Sequence, residues 1–276
     1  MKSKILMTLF LVLSMNVASA GGVQLFGVSP YSSLSGNAEY KLSKINPDGS
    51  TESTIDITYN GTTITGANGL VVDTIDSKTV YIMFKHDDLT NDRALGTLDI
   101  NTGVVTYVGD STEKIAGITM GNDGQMYAVT GDGSPTSESL FMVDKTDGSL
   151  TFMTALGDGN DGETIGFNSD NGLIYTRSGR DSDPSFMSID PTASPLAPVQ
   201  VGGVTLDEAF SLLYDIDTGT FLEANLDLDL INLAMDGSQV VIGSTDSYFK
   251  GMIFFPRKQD FIYYDGFETV VAPPVQ

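Results

Sequence analysis

The sequence predicts an all-β fold, a single β-propeller of about five four-stranded blades, with four or six also compatible with the degenerate ends of the repeat. Three observations lead there. Apolar residues come in short runs separated by Gly, Asn and Asp, and no stretch is convincingly helical. Two unlike hairpin patterns alternate along the chain. Together they recur with a period in the forties: Gly69, Gly117 and Gly166 stand 48 and 49 residues apart, and the turn positions Ile100, Val143 and Ile189 stand 43 and 46 apart. Two hairpins per period supply the four strands of a blade, whereas a β-sandwich would carry short strands without such a repeat.

In chain order, residues 1–20 (MKSKILMTLFLVLSMNVASA) bring Lys2 and Lys4, an apolar run from Ile5 to Leu13 and the ending Ala18-Ser19-Ala20, the pattern of a cleaved secretory signal. That run is about half of the ~20 residues a membrane span needs. The propeller is expected over residues 21–268, with 269–276 a short flexible tail. VQLFGVS at 23–29 is expected to pair with C-terminal strands, closing the ring and removing its open edges. The first type of hairpin, an apolar strand and an Asp/Asn-Gly turn followed by a strand with Tyr, is read at 69–84, 117–130, 166–178 and 210–224. A second type, ending in an acidic turn and a Thr/Val strand, is read at 40–57, 95–109, 140–157 and 186–202. A further hairpin follows at 230–244, and one or two strands at 251–264. Turns of this kind demand positive φ, so their Asp and Asn residues are turn formers before anything else.

The phrases LDINTG…VTYVG, GITMGNDGQMYAVT and FMVDKTDGSLTFMTALG resemble the repeats of secreted bacterial β-propeller proteins of the YVTN/NHL/quinoprotein-like class, which includes domains of unknown function. The resemblance spans about residues 25–245. It implies a propeller and no single activity, because such repeats record blade packing. The ending YYDGFE at 263–268 is similar to a short Asp-Gly-Phe-Glu ending of exported proteobacterial proteins, and so speaks for export.

Charge and composition remove whole classes of function. The 276 residues hold 36 acidic and 14 basic side chains, a net charge of -22, which deepens to -24 when the leader takes Lys2 and Lys4 with it. Nucleic acid is excluded as a partner, since phosphate binding needs a basic surface. With no Cys, there are no disulfides, thiolate nucleophiles, zinc ribbons or iron–sulfur sites. No integral membrane segment is expected after signal cleavage, because later apolar stretches are too short. The expected address is extracellular or at the cell surface, with the periplasm the alternative.

Candidate chemistry is sparse. The single histidine, His86, lies in KHDDLTND without a Gly-x-Ser-x-Gly elbow, and is expected in a solvated loop rather than in a catalytic triad. Carboxylates at the central opening, with Glu163, Asp207 and Glu208 as candidates, would support glycoside hydrolysis if two of them met at the right separation. Calcium is the candidate cofactor: Asp158, Asn160, Asp161 and Glu163 in GDGNDGET offer oxygen ligands on a flexible loop, though without EF-hand spacing. The loops at 131–139 and 180–185 read as ordinary turn chemistry. Tyr81, Tyr127 and Tyr175 recur at one phase of the repeat and are expected to pack between blades, while Met120, Met126, Met142, Met153 and Met187 are expected as strand core residues filling gaps rather than as soft metal ligands. The leading expectation is therefore an exported, non-catalytic binding module for a protein or carbohydrate partner. A carboxylate-dependent carbohydrate enzyme and a structural surface or matrix protein are the alternatives.

Overall fold

The computed structural model describes residues 23–31, 38–89, 93–131, 133–157, 163–179, 185–203 and 208–256. The chain opens with β1 (Gln24–Tyr31), β2 (Ala38–Ile45) and β3 (Thr51–Asp56), followed by the small hairpin β4 (Thr58–Tyr59) and β5 (Thr62–Thr63). Four antiparallel sheets then follow in strict sequence order. Blade II is β6 (Gly66–Val72), β7 (Val80–Lys85), β8 (Arg93–Leu98) and β9 (Val105–Ser111); blade III is β10 (Ile115–Met120), β11 (Met126–Thr130), β12 (Ser139–Val143) and β13 (Leu150–Ala155). Blade IV is β14 (Thr164–Asn168), β15 (Leu173–Ser178), β16 (Ser185–Ile189) and β17 (Val199–Gly203); blade V is β18 (Ala209–Asp215), β19 (Thr220–Asn225), β20 (Asp229–Leu233) and β21 (Gln239–Ser244).

The last strand, β22 (Met252–Phe255), returns to pair with β1, Gln24 opposite Phe255 and Gly27 opposite Met252. Blade I is thus β22-β1-β2-β3, with its inner strand supplied by the C-terminal side of the chain. The expected closure is present, and the ring has five blades. β22, β6, β10, β14 and β18 pack successively around the axis.

Spacing of the leading glycines follows from this ring. Gly69 is the extra residue of a bulge in β6, with φ of 73°. Its N–H donates to Lys250 O of blade I at 2.6 Å, and a Cβ placed on it would lie 2.8 Å from Ile118 N of blade III. Only glycine allows three inner strands to approach so closely.

The core consists of clusters at the seams between blades rather than one central mass. Tyr81, Met83, Met120 and Met126 fill the seam between blades II and III, Tyr127, Ile165 and Ile174 that between III and IV, and Tyr175, Phe186 and Phe221 that between IV and V. The recurring tyrosines therefore pack between blades, and Met142 and Met153 pack against the seam between blades III and IV. Met187 is half-buried on β16.

The turn acids act as read. Asp48, Asp99, Asp144, Asp190 and Asp236 each accept the backbone N–H two residues on, at 2.8–3.0 Å. Much of the negative charge is thereby used to shape hairpins. Every outermost strand also carries a bulge, at Glu52, Val108, Met153, Val201 and Ile242, which breaks the regularity of the rim edge. Among the described residues no helix is long and apolar enough to cross a membrane.

Candidate functional site

The inner strands run in the same direction along the axis, so their first residues meet at one end of the channel and their last residues at the other. At the first end lies a cavity of about 210 Å³ lined by Asn68, Arg93, Lys114, Glu163, Glu208, Phe210 and Lys250. Lys114, Glu163 and Glu208 hold one structural position: each immediately precedes the inner strand of its blade. Lys250 stands two residues before β22, and Asn68 and Arg93 come from β6 and β8.

Local structure fixes these side chains. Bulges at Ala116 in β10 and at Phe210 in β18 turn the strands beside the cavity. Lys250 is held through its backbone, its N–H donating to Val28 O at 2.9 Å and its O accepting from Gly69. Its Nζ lies 4.7 Å from the centre of the Phe210 ring, a cation–π contact, and Tyr248 meets that ring edge-on at 5.6 Å. The N–H of Lys114 donates to Ser134 Oγ at 2.9 Å, and the Ser134 hydroxyl donates to Glu113 Oε2. Burial raises the Glu113 pKa, but the Ser134 hydroxyl and the Thr136 N–H outweigh it and hold the carboxyl below its usual range. Ser134 and Thr136 thus tie their loop to Glu113 and Lys114 beside this mouth, which Gly131 lines.

Glu163 and Glu208 are the deep members, only 6% and 5% exposed, whereas Lys114 is exposed and Arg93 and Lys250 are half-buried. Gly131 stands against Glu163: a Cβ there would come within 3.0 Å of Oε2. Behind this acidic side, Arg177 sits opposite Thr164, the neighbour of Glu163, and forms a fully buried bidentate pair with Glu223 of blade V. Nε and Nη2 donate to the two carboxylate oxygens at 3.1 and 3.2 Å. Burial pushes the Glu223 carboxyl upward and Arg177 opposes that shift.

The opposite end of the channel holds a cavity of about 100 Å³ with uncharged lining, where Leu70, Ile118, Met120, Phe167, Leu212 and Met252 are joined by Thr74, Thr119, Asn122 and Ser169. Tyr214 donates to Asp170 Oδ2 at 2.7 Å, and burial, followed by that acidic partner, pushes its hydroxyl up to about 12.

Of the sequence-predicted residues, Glu163 and Glu208 come together at the charged mouth. Asp158, Asn160, Asp161 and Asp207 lie outside the described residues. Among the described residues no group of three or more His, Asp or Glu side chains could hold a metal ion.

His86 requires a correction, because it is buried rather than solvated. The β4–β5 hairpin, which follows no repeat pattern, covers it. Tyr59 packs edge-on against the ring at 5.1 Å. Nδ1 accepts the Asp88 N–H at 3.1 Å, which leaves Nε2 as the donor to Thr62 Oγ1 at 2.6 Å. Both ring nitrogens thus have hydrogen-bond partners within the fold, which holds the histidine in place.

Sequence reasoning missed Lys114 and Lys250. A signal was available: Lys114, Glu163 and Glu208 are spaced 49 and 45 residues apart, at the repeat period. Their side chains differ in charge, so a comparison based on similarity between repeats passes over them.

No family model matches the chain, and no curated protein matches its sequence. Solved structures do match. A chain of the nidogen/laminin complex aligns with a TM-score of 0.52 at 13% identity, over 82% of this chain and 80% of that one. TolB from Acinetobacter baumannii aligns at 0.50 and 13% identity over 81% of this chain and 53% of TolB, so this chain spans about half of its length. A gluconolactonase from Xanthomonas campestris aligns at 0.46 and 11% identity, over 85% and 91% of the two chains. At such identities the likeness to the first two speaks for the β-propeller fold and for nothing further.

Proposed function

We propose that the protein is an exported binding module without catalytic function, whose ligand enters the charged mouth of the axial channel. One observation carries this reading. Three of the chain's 14 basic residues and two of its deeply buried carboxylates converge on a single cavity in a protein of net charge -22. The fold neighbour drawn from a nidogen/laminin complex agrees with a binding role for a propeller of this shape. Export rests on the leader pattern of residues 1–20, and is checked by fractionating cells that express the full chain. The binding reading is checked by thermal unfolding in the presence of amino acids, sugar acids and neutral sugars. A ligand that raises the midpoint for the native chain but not for Lys250→Met supports it.

The carbohydrate-enzyme reading gains from the meeting of Glu163 and Glu208 in one cavity. It predicts turnover of aryl glycosides that Glu208→Gln abolishes, and no turnover on a broad panel removes it. Calcium at Asp158, Asn160, Asp161 and Glu163 predicts a midpoint that rises with calcium, falls with chelator and ceases to respond in Asp161→Ala.

A further inference from the structure

The cavity at the uncharged end of the channel carries a hydroxyl that the fold leaves over. Three of its polar side chains are spent on the turns around it: Thr74 Oγ1 donates to Gly121 O at 2.7 Å, Asn122 Nδ2 to Ser169 O at 2.8 Å, and the Tyr214 hydroxyl to Asp170 Oδ2. Thr119 differs. It lines the cavity from β10 and is only 8% exposed, yet among the described residues its hydroxyl has no hydrogen-bond partner. In the neighbouring wall Ser169 Oγ is also buried without one. Blade packing does not demand a hydroxyl at this place. Two residues after the leading glycine of the inner strand, where blade III has Thr119, blade II has Val71 and blade I has Ile253. A buried, unpaired hydroxyl costs free energy that the isosteric valine avoids.

We infer that this end of the channel binds a neutral, mostly apolar molecule whose hydroxyl or carbonyl group pairs with Thr119 Oγ1. Leu70, Ile118, Phe167, Leu212 and Met252 supply walls against which a hydrocarbon skeleton is favourably buried. Among the described residues no charged side chain lines the cavity, so an anion or a cation entering it would lose hydration without gaining a counter-charge. A plain hydrocarbon would fill the same walls and leave the hydroxyl unpaired. The site is separate from the charged mouth, and the inference stands or falls independently of the reading given to that mouth. Residues 257–276, which follow β22, lie outside the described residues, and their aromatic run FIYYDGF is the rival occupant.

The test is ligand-observed NMR titration of the full chain with p-cresol, cyclohexanol and 2-hexanone. Toluene, cyclohexane and hexane serve as the oxygen-free counterparts, and 4-methylbenzoate and 4-methylbenzylamine as the charged ones. At least one neutral oxygen-bearing probe is expected to bind, about fivefold more tightly than its oxygen-free counterpart, the worth of one hydrogen bond. The charged probes should not bind. Thr119→Val keeps the shape of the side chain and should bring the paired probes to equal affinity while sparing the oxygen-free one, whereas Thr119→Ser should keep the preference. Without any probe, Thr119→Val should raise the unfolding midpoint. A midpoint that fails to rise shows the hydroxyl to be paired already and overturns the inference. So does the absence of binding by every neutral probe, charged probes binding as tightly as neutral ones, or a preference that Thr119→Val leaves intact. Binding that appears only in a full-length chain carrying Phe261→Ser, Tyr263→Ser and Phe267→Ser assigns the cavity to residues 257–276 and overturns the external ligand.

Discussion

The two ends of the axial channel are bounded by the same five inner strands, yet one gathers three cations and two buried carboxylates, while the other is lined by aliphatic and aromatic side chains together with the uncharged Thr74, Thr119, Asn122 and Ser169. The apolar end draws on strand residues such as Leu70, Ile118 and Leu212, which also belong to the clusters that join neighbouring blades. The charged end draws on residues standing just before those strands, where the seams no longer dictate side-chain type. A repeat fold therefore keeps its packing and its chemistry at different phases of one period.

The comparison is broken most severely at the buried pair behind the acidic pole. Arg177→Met leaves the Glu223 carboxylate buried without its cation and is expected to destabilise the protein by about 3–5 kcal/mol, with Glu223→Leu in the same chain recovering most of the loss in denaturant unfolding. At the apolar end, Ile118→Ala is expected to lose about 2–5 kcal/mol by opening a cavity between two blades, with ligand affinity at the other end unchanged. Lys250→Met sharpens the contrast. Its stability loss, from the cation–π contact with Phe210, is about 0.5–1 kcal/mol, while ligand binding should fall at least tenfold.

Smaller effects are expected from titration. The hydroxyl and backbone N–H of Thr146 hold the Asp144 carboxyl below its ordinary 3.8, and those of Ser238 do the same for Asp236. A depressed carboxylate contributes stability that is fully present above 3.8 and is lost as pH falls through the lower folded value. Asp144→Asn and Asp236→Asn should therefore flatten the fall of the unfolding midpoint below that pH. Tyr214 has the opposite sign. Its raised pKa means that the contribution is whole below 10 and vanishes by about 12, so the midpoint difference between the native chain and Tyr214→Phe should shrink across that interval.

Much of the fold was legible because blade packing repeats. Gly69, Gly117 and Gly166 marked the inner strands, the turn acids marked the hairpins, and the tyrosines marked the seams. Closure was legible from VQLFGVS, an N-terminal strand expected to pair with C-terminal ones, as it does with β22. Less was legible where the chain departs from its period. The β4–β5 hairpin belongs to no repeat, so the burial of His86 could not be anticipated. Arg177 and Glu223 occupy strands that read as hairpins, and nothing in either segment announces a pair 46 residues apart. Of the site, Glu163 and Glu208 were nameable as two among 36 acids, but their meeting with Lys114 and Lys250 is a product of the ring.

Pairing of Gln24 with Phe255 joins residues 231 apart, and this has a consequence for the timing of assembly. A chain emerging N-terminus first from the ribosome can complete blades II to V in order, each from contiguous residues, while blade I waits for its innermost strand. Lys250 arrives with that strand. An unfinished or C-terminally shortened molecule would carry Glu163 and Glu208 without the lysine that lines the same cavity. Any ligand held between blade I and blades IV and V would select finished rings from incomplete ones and act as a clasp on the last strand to be made.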